Sequence, residues 1–277
     1  MALRKRAVVD MPAARAHHAG VIFGAGLFVH GGQGGEHNDA LADWNLFDFG
    51  LQVWIRCDVD EIIPDIHGGE SLLQPFNKYQ RKSHTLTAVI EPTLTDGREM
   101  TRLLWVAPLQ ELVRNGTVAE QGMYMFGGID ELGNPTDDLY WVAPDIKANS
   151  RILNNKTGEF KGTLNPEVRF LARKVTPEGR GPVARAQHSA TFFKNQLVIF
   201  GGRNDAIYPV IKNVALNDLH VYDVAENRWQ ALAIYGDLPE SRWGHRLVAN
   251  QEKIVIFGGM NLGTYCESVF FDIHIGK

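Results

Sequence analysis

Cysteine is scarce in this sequence: 277 residues contain only Cys57 and Cys266. Two distant cysteines do not form the disulfide framework of a small secreted domain, so free thiols in a reducing compartment are expected. Positive charge is not in excess either, because 28 Lys and Arg stand against 32 Asp and Glu, giving a net charge of −4. The electrostatic footprint of a nucleic-acid-binding protein is therefore missing.

Long apolar runs are also missing. No stretch approaches the roughly 18 apolar residues that cross a bilayer. The first eleven residues are basic but contain no apolar segment of signal-peptide length. From the sequence we therefore expect a soluble cytoplasmic protein with no membrane partner.

Motifs that carry catalysis or hold a cofactor are absent as well. Glycine-rich residues 24–26 and 31–35 neither precede a helical pattern nor carry Gly-Lys-Ser/Thr, so they do not predict a phosphate loop. Gly-x-Ser-x-Gly and zincin motifs do not occur. Strand alternation separates the histidines near the start of the chain, so no metal site is predicted. These histidines are His17, His18, His30 and His37.

The dominant feature that is present is a fourfold repeat. Arg-x-x-His and a double glycine after an apolar run each occur four times, and their separation from His to Gly is 13 residues in three copies. The second copy has a separation of 43 residues. The motifs are Arg15/His18, Arg81/His84, Arg185/His188 and Arg242/His245, followed by Gly31-Gly32, Gly127-Gly128, Gly201-Gly202 and Gly258-Gly259.

Each copy predicts four short strands, a to d. Strand a follows the His, strand b precedes the double glycine, strand c alternates, and strand d carries a Trp seven residues after an aromatic. The aromatic–Trp pairs are Phe47/Trp54 and Tyr222/Trp229. Copy two lacks the Trp, and copy four lacks strand d. Because one such sheet cannot bury both faces, a radial stack of sheets is predicted.

These motifs resemble the kelch-repeat family. The resemblance rests on the double glycines, the aromatic–Trp spacing and Pro-x-x-Arg-x-x-His, which occurs in three copies. It implies an all-β propeller of four-stranded antiparallel blades. It also implies structural roles for the glycine pairs at sharp turns beside a neighbouring sheet, for Trp54 and Trp229 between sheets, and for the four motif histidines.

We expect one propeller domain over residues 1–277. Its blades are predicted at about 14–58, 80–175, 183–235 and 240–277, and residues 59–79 are expected to form a surface link. Blade two carries insertions at 91–121 and 144–167. Residues 1–13, and 4–9 in particular, fit a strand d that closes the last blade. Two alternatives stay open: a four-bladed ring, and an incomplete part of a larger propeller.

Equivalent positions in a radial array converge on its axis. The four motif arginines, Arg15, Arg81, Arg185 and Arg242, are therefore predicted to ring one channel mouth, with Trp243 beside them. Guanidinium groups pair bidentately with carboxylates, so this mouth is a candidate site for a protein or peptide partner, acidic partners included. The alternative is that the arginines are structural and brace a neighbouring blade. Residues 147–185 hold nine Lys and Arg against three Glu, which fits a solvated loop or a contact patch.

The leading functional hypothesis is a non-catalytic scaffold without a cofactor that binds proteins or peptides through loops at one face. One alternative is a component of a cytoskeletal or ciliary assembly, docking through the blade-two insertions. The other is a lyase or epimerase that uses the channel Arg and His residues, because some kelch-like propellers are enzymes.

Overall fold

The computed structural model describes residues 11–23, 26–35, 39–49, 52–63, 72–76, 80–89, 122–145, 168–205, 214–230, 239–250 and 253–271. Within these ranges the regular elements are β-strands, and no α-helix occurs. The all-β fold predicted from the repeat is confirmed. The predicted closing strand at 4–9, the insertion at 91–121 and nearly all of the insertion at 144–167 lie outside the described residues.

The strands follow the four repeats in order. The first repeat contains β1 (Arg15–Ala16), β2 (Ala19–Phe23), β3 (Gly26–His30), β4 (Gln33–Gly34), β5 (Asp39–Ala40), β6 (Trp44–Asp48), β7 (Val53–Ile63) and β8 (Leu72–Pro75). The second contains β9 (Thr85–Val89), β10 (Gly122–Phe126), β11 (Leu139–Pro144) and β12 (Val168–Val175). The third contains β13 (Ser189–Phe193), β14 (Gln196–Phe200), β15 (Leu219–Asp223) and β16 (Arg228–Gln230). The fourth contains β17 (Arg246–Ala249), β18 (Ile254–Phe257), β19 (Met260–Asn261), β20 (Thr264–Tyr265) and β21 (Val269–Phe271).

Blade three shows how the sequence forms a blade. Its four strands pair antiparallel in the order β13-β14-β15-β16. Lys194 and Asn195, at φ 48° and 63°, form the two-residue turn between the first two strands, as a hairpin turn with two positive φ values requires. At the next turn, the Asp223 carboxylate accepts hydrogen bonds from two backbone amides. The register then places Tyr222 opposite Trp229, so the spaced aromatics of the repeat lie side by side.

Blades one and two share one sheet, which the sequence did not predict. Strand β7 continues past blade one, and Cys57–Glu61 pair in parallel with Val168–Ala172 of β12, the last strand of blade two. Strand β8 then folds back onto β7. The predicted surface link at 59–79 is therefore wrong in its first part, because residues 59–63 belong to β7. Alternation explains this extension, since Ile55, Cys57, Val59 and Glu61 are buried in turn.

The hydrophobic core lies between consecutive blades. We call the face of a blade that packs on the following blade its trailing face, and the opposite face its leading face. Three apolar clusters fill the three junctions. The third, for example, joins Val198 and Phe200 on the trailing face of blade three to Ile254 and Ile256 on the leading face of blade four. Stacking therefore buries both faces of the inner blades, as expected for a radial array.

Blade four has three described strands, in the order β17-β18-β21. Residues after 271, where a strand d would follow, lie outside the described residues, so the absence of strand d stays a prediction. A separate two-stranded hairpin, β19 and β20, rises from the end of β18.

The double glycine is the point of closest approach between blades. Gly201 and Gly202 have φ values of 61° and 93°, and the amide of Gly202 donates to the carbonyl of Arg242 in the next blade at 2.9 Å. A Cβ on Gly201 would lie 2.6 Å from that carbonyl and 2.9 Å from the His245 ring. Both the positive φ and the missing side chain are therefore needed here.

We predict that Gly201→Ala lowers the free energy of unfolding by about 2–4 kcal/mol, because it adds a steric conflict with the next blade to the cost of a positive φ. Gly133→Ala is the matched control: Gly133 has φ 86°, but no atom lies within 4 Å of the place that a Cβ would take. The control should lose only about 1 kcal/mol. Urea unfolding of both variants measures the difference, and equal losses would contradict the prediction.

Candidate functional site

Each repeat places its arginine inside its own blade, as Arg185 shows. Its Nη1 and Nη2 donate to the two carboxylate oxygens of Asp218, both at 2.7 Å. Nη1 also donates to the carbonyl of Gly201 at 3.0 Å, and Nε donates to the carbonyl of Val183 at 3.0 Å. The side chain is fully buried. Arg185 therefore links the start of strand a to the end of strand b and the start of strand c.

Blade one repeats this geometry. Arg15 donates to both carboxylate oxygens of Asp43 at 2.7 Å and to the carbonyls of Gly31 and Ala13 at 3.1 Å. Its side chain is only 5% exposed. Two blades thus hold the same bidentate pair, which is the strongest geometry for an Arg–carboxylate contact.

The other two arginines depart from this pattern. Arg81 makes a single contact with Asp138, 2.7 Å from Nη2 to the carboxylate. Arg242 has no carboxylate among its described contacts, because Ser268 occupies the position before strand c, and its guanidinium donates instead to backbone carbonyls. These acceptors belong to Glu240, Gly258 and Glu267. Both side chains are buried.

Sequence reasoning missed the aspartates that bind the arginines. Asp43, Asp138 and Asp218 each stand immediately before strand c, so their recurrence was visible in three repeats. Sequence reasoning also suggested that the arginines hold a neighbouring blade, whereas their guanidinium groups bind their own blade. It is the backbone carbonyl of Arg81, Arg185 or Arg242 that accepts a hydrogen bond from the preceding blade. Contact of the arginines with a partner stays a prediction.

The carboxylates in these pairs are held ionised. Burial raises the pKa of Asp218, but hydrogen bonds from Arg185 and His220, together with their charges, outweigh it and hold that pKa well below its usual range. Asp43 shows the same balance: burial raises its pKa, and hydrogen bonds from Arg15 and Asn45 lower it further than burial raises it. The pairs are therefore ionic at neutral pH.

The motif histidines cross to the preceding blade. The His188 ring lies edge-on to Phe126 at 5.2 Å, and its Nε2 is 3.0 Å from the Thr85 hydroxyl. His245 lies in the same way against Phe200 at 5.4 Å, and His84 lies against His30 with 3.0 Å between ring nitrogens. These three histidines are buried, whereas His18 of blade one is exposed. The three therefore contribute to the blade junctions.

Burial keeps these imidazoles neutral. It lowers the pKa of His245 to about 3, with a smaller contribution from the charge of Arg242, and it lowers the pKa of His30 to about 3 in the same way, next to Arg81. The pKa values of His84 and His188 are also well below the ordinary value, mainly through burial.

The residues just before the histidines form a chain of contacts across the four blades. All four have positive φ values of 55–71°, and backbone hydrogen bonds connect them from blade to blade. Ser83 donates to His17, Gln187 to Ser83 and Gly244 to Gln187, at 2.8–2.9 Å. The four motifs thus lie next to one another at the same end of the blades. Their arrangement around a channel mouth stays a prediction.

The b–c loops lie at this same end, because strand b ends beside the start of strand a. We call the end of the domain that carries residues 129–138 and 260–268 the loop face. It holds three of the most exposed large apolar side chains described: Leu132 at 80%, Leu262 at 67% and Tyr265 at 82%. A recess of about 400 Å³ lies next to Leu132, lined by Gln80, Arg81, Asp130, Glu131, Thr136 and Asp138.

Leu262 occupies a strained position at the tip of the β19–β20 hairpin. Leu262 and Gly263 have φ values of 47° and 85°. This two-residue turn with two positive φ values favours Asn-Gly, so a branched apolar side chain at its first position is unusual. Sequence reasoning did not single out Leu262, although Asn-Leu-Gly-Thr after a strand was a visible turn pattern.

Trp243 lies at the base of this hairpin. It is half-buried, its backbone pairs with Met260, and the Arg203 guanidinium lies over its ring at 4.9 Å. The structure therefore places Trp243 next to the exposed hairpin. Its predicted contact with a partner stays a prediction.

The described residues contain no group of three or more His, Cys, Asp or Glu arranged to hold a metal ion. No helix among them is long and apolar enough to span a membrane.

Comparison with known families decides the assignment. The model of the KLHDC2/KLHL20/DRC7 Kelch-repeats domain matches residues 114–275, more than half of the chain. The chain belongs to the kelch-repeat family. Kelch-repeat domains are typically protein-interaction modules and are generally not enzymes.

Individual kelch relatives match only in part. Host cell factor 2 from Homo sapiens is 36% identical over 93 residues, which is 32% of this chain and 11% of that protein. Tip elongation aberrant protein 1 from Schizosaccharomyces pombe is 24% identical over 171 residues, or 50% of this chain and 15% of that protein. The chain thus spans only about a tenth to a seventh of these two relatives. The solved structure of YjhT has a TM-score of 0.43 and 13% identity, covering 95% of this chain and 83% of that one.

The buried histidines predict how the free energy of unfolding depends on pH. Each is neutral in the folded chain and has an ordinary pKa near 6.5 when unfolded. Below pH 6.5 the unfolded state therefore binds more protons, and stability falls as pH drops, by about 1.4 kcal/mol per pH unit for each histidine. The Asp43 and Asp218 pairs lose their contribution only below about pH 4, where unfolded carboxyl groups become protonated.

In His188→Gln, the slope of the free energy of unfolding against pH should therefore be smaller between pH 6 and 4.5. The expected decrease is about 1.4 kcal/mol per pH unit, which corresponds to one proton. Thr85→Val is the control, because it removes the hydrogen-bond partner of His188 and no titrating group. Urea titrations at several pH values measure both slopes. An unchanged slope in His188→Gln would contradict the prediction.

Proposed function

We propose that this kelch domain is a non-catalytic module that binds a protein or peptide partner through its loop face. The observation that carries the proposal is Leu262, an exposed apolar side chain held at a positive φ. Such strain costs on the order of 1–3 kcal/mol. Because Leu262 is 67% exposed, it gains little burial within the chain in return. Burial of the Leu262 side chain against a partner would account for an apolar residue at this strained position.

The surroundings of Leu262 suit a protein contact. Tyr265 lies across the hairpin from Met260 and is 82% exposed, so an aromatic and an aliphatic side chain stand together on a short, hydrogen-bonded element. Aromatic and apolar side chains surrounded by polar groups dominate the binding energy of protein interfaces. Trp243, paired with Met260 and stacked under Arg203, supports the base of this element.

The charges of the loop face restrict the partner. In the recess beside Leu132, the Asp138 carboxylate is paired with Arg81 and Lys174. Asp130 and Glu131 leave the recess acidic, so a segment that enters it would carry neutral or basic groups. An acidic segment would instead meet Arg203 beside Trp243, where it would compete with the Asp205 carboxylate at 3.9 Å. Since Arg185 and Arg242 are almost completely buried, we assign them and their counterparts the role of holding the loops in place.

The buried state of the motif residues also supports a non-catalytic role. A lyase or epimerase would need channel Arg and His side chains that reach a substrate, but the arginines bind within their blades and three of the motif histidines lie at blade junctions. Docking through the blade-two insertions concerns residues outside the described ranges and stays a prediction. The cytoplasmic setting is likewise part of the proposal.

Leu262→Asn tests the proposal, because Asn tolerates a positive φ. We expect the variant to be more stable by about 1 kcal/mol and to lose partners in quantitative affinity capture from the source cells. Leu72→Asn is the matched control, because Leu72 is 70% exposed and lies on β8, outside the residues of the loop face. Melting temperature and partner recovery are measured together. Partners retained by Leu262→Asn, or lost equally in both variants, would overturn the proposal.

A further inference from the structure

The trailing face of blade four is left uncovered. Phe257 ends strand β18 and is 67% exposed. Its counterparts at the ends of the b strands in blades two and three, Phe126 and Phe200, are 1% and 0% exposed, because each lies against a histidine of the next blade. Phe257 has no such histidine among the described residues, so a side chain that is part of the core elsewhere is in solvent here.

The leading face of blade one is uncovered in a complementary way. Ile22 is 61% exposed, and Leu27, Phe47 and Trp54 are only half-buried. The counterparts of the last three on the leading face of blade three are Leu197, Tyr222 and Trp229, at 1%, 2% and 8% exposure. The histidine of blade one, His18, is exposed as well. This face therefore has the composition of a blade junction without the opposing blade.

The backbone repeats the same contrast. The amides of Gly32, Gly128 and Gly202 donate to the Arg81, Arg185 and Arg242 carbonyls at 2.8–2.9 Å, and a Cβ on Gly127 or Gly201 would strike the next blade. Gly258 has the same conformation, with φ 64°, but nothing lies within 4 Å of the place a Cβ would take. The described contacts include no equivalent hydrogen bond from Gly259.

We propose that a second copy of this chain covers these faces, with the trailing face of blade four in one copy packed head to tail on the leading face of blade one in the other. The contacts expected between the two copies follow from those at the three junctions within the chain. His18 of the second copy lies against Phe257, and Gly259 donates to the Arg15 carbonyl of the second copy. Gly258 gives the close approach that this hydrogen bond needs.

The second copy fits because the chain carries both halves of the junction. Pairing two copies at both faces closes the assembly, since each copy offers one face of each kind. Closure gives eight blades, which is within the range of β-propellers. It also covers two apolar faces whose exposure is unusual for a monomer. Closure within one copy would require blade four to pack on blade one, and the described contacts leave Phe257 and His18 exposed.

The test is the mass of the full chain in solution, measured by sedimentation equilibrium over a concentration series. We expect a species of twice the 30.9 kDa chain mass. Gly258→Ala should shift it to monomer and raise the dissociation constant at least 100-fold, because the added methyl meets the Arg15 carbonyl of the second copy. Gly133→Ala, whose Cβ also meets nothing within the chain, should leave the dimer unchanged.

A cross-link identifies the faces. One batch of chain carries Phe257→Cys and a second carries His18→Cys, both with Cys266→Ser, while the other native cysteine, Cys57, is buried. A short bismaleimide should link the two batches when mixed, and should not link either batch to itself. A chain carrying both substitutions distinguishes the dimer from closure within one copy. At high dilution, closure within one copy would give a cross-linked monomer.

A wild-type chain that stays monomeric up to about 100 μM would overturn the proposal, and so would a Gly258→Ala variant as dimeric as the wild type. Cross-linking confined to single chains would also overturn it, in favour of closure within one copy. Because Leu262 lies at the tip of the β19–β20 hairpin and takes part in none of the contacts specified for this junction, Leu262→Asn should not change the dissociation constant. This keeps the test separate from that of partner binding.

Discussion

The fold depends on one contact, the approach of the glycine pairs of blades one, two and three to the backbone of the next blade. A carbonyl of the following Arg-x-x-His segment lies where a side chain would be, so the pair must be glycine and must take positive φ values. This approach brings a histidine ring onto the last aromatic of strand b and aligns the apolar faces behind it. Blade stacking, core burial and the position of the loop face all follow from it.

The arginine pairs connect this contact to the loop face. In blade three, Arg185 binds the carbonyl of Gly201 and the Asp218 carboxylate at once, so the loop between them begins and ends on one buried side chain. A rigid base of this kind lets exposed loops carry binding residues without endangering the core. In blade four, Arg242 at the equivalent position binds backbone carbonyls in place of a carboxylate. The loop that it holds carries the strained hairpin at Leu262, so the same arginine position supports both the blade-three loop and this hairpin.

Spacing in the sequence was enough to predict the kelch repeat and its all-β fold, because glycine pairs and alternating strands are local requirements. It did not predict the parallel pairing of β7 with β12, since no local pattern states which strand edges meet. The arginines were recognised, but their burial was not, because an Arg position alone does not reveal the Asp that neutralises it. Leu262 was overlooked because its strain lies in its backbone angle, and a leucine in a sequence does not indicate a positive φ.

The shared sheet of blades one and two has a consequence for the order of assembly. Cys57 and Val168 are neighbours in that sheet, although about 110 residues of chain separate them. During synthesis from the N-terminus, blade one therefore cannot complete its outer edge until the last strand of blade two has left the ribosome. Among the described strands, those of blades three and four pair only within their own blade. We therefore expect the first half of the chain to fold as one cooperative unit and the second half to add blade by blade.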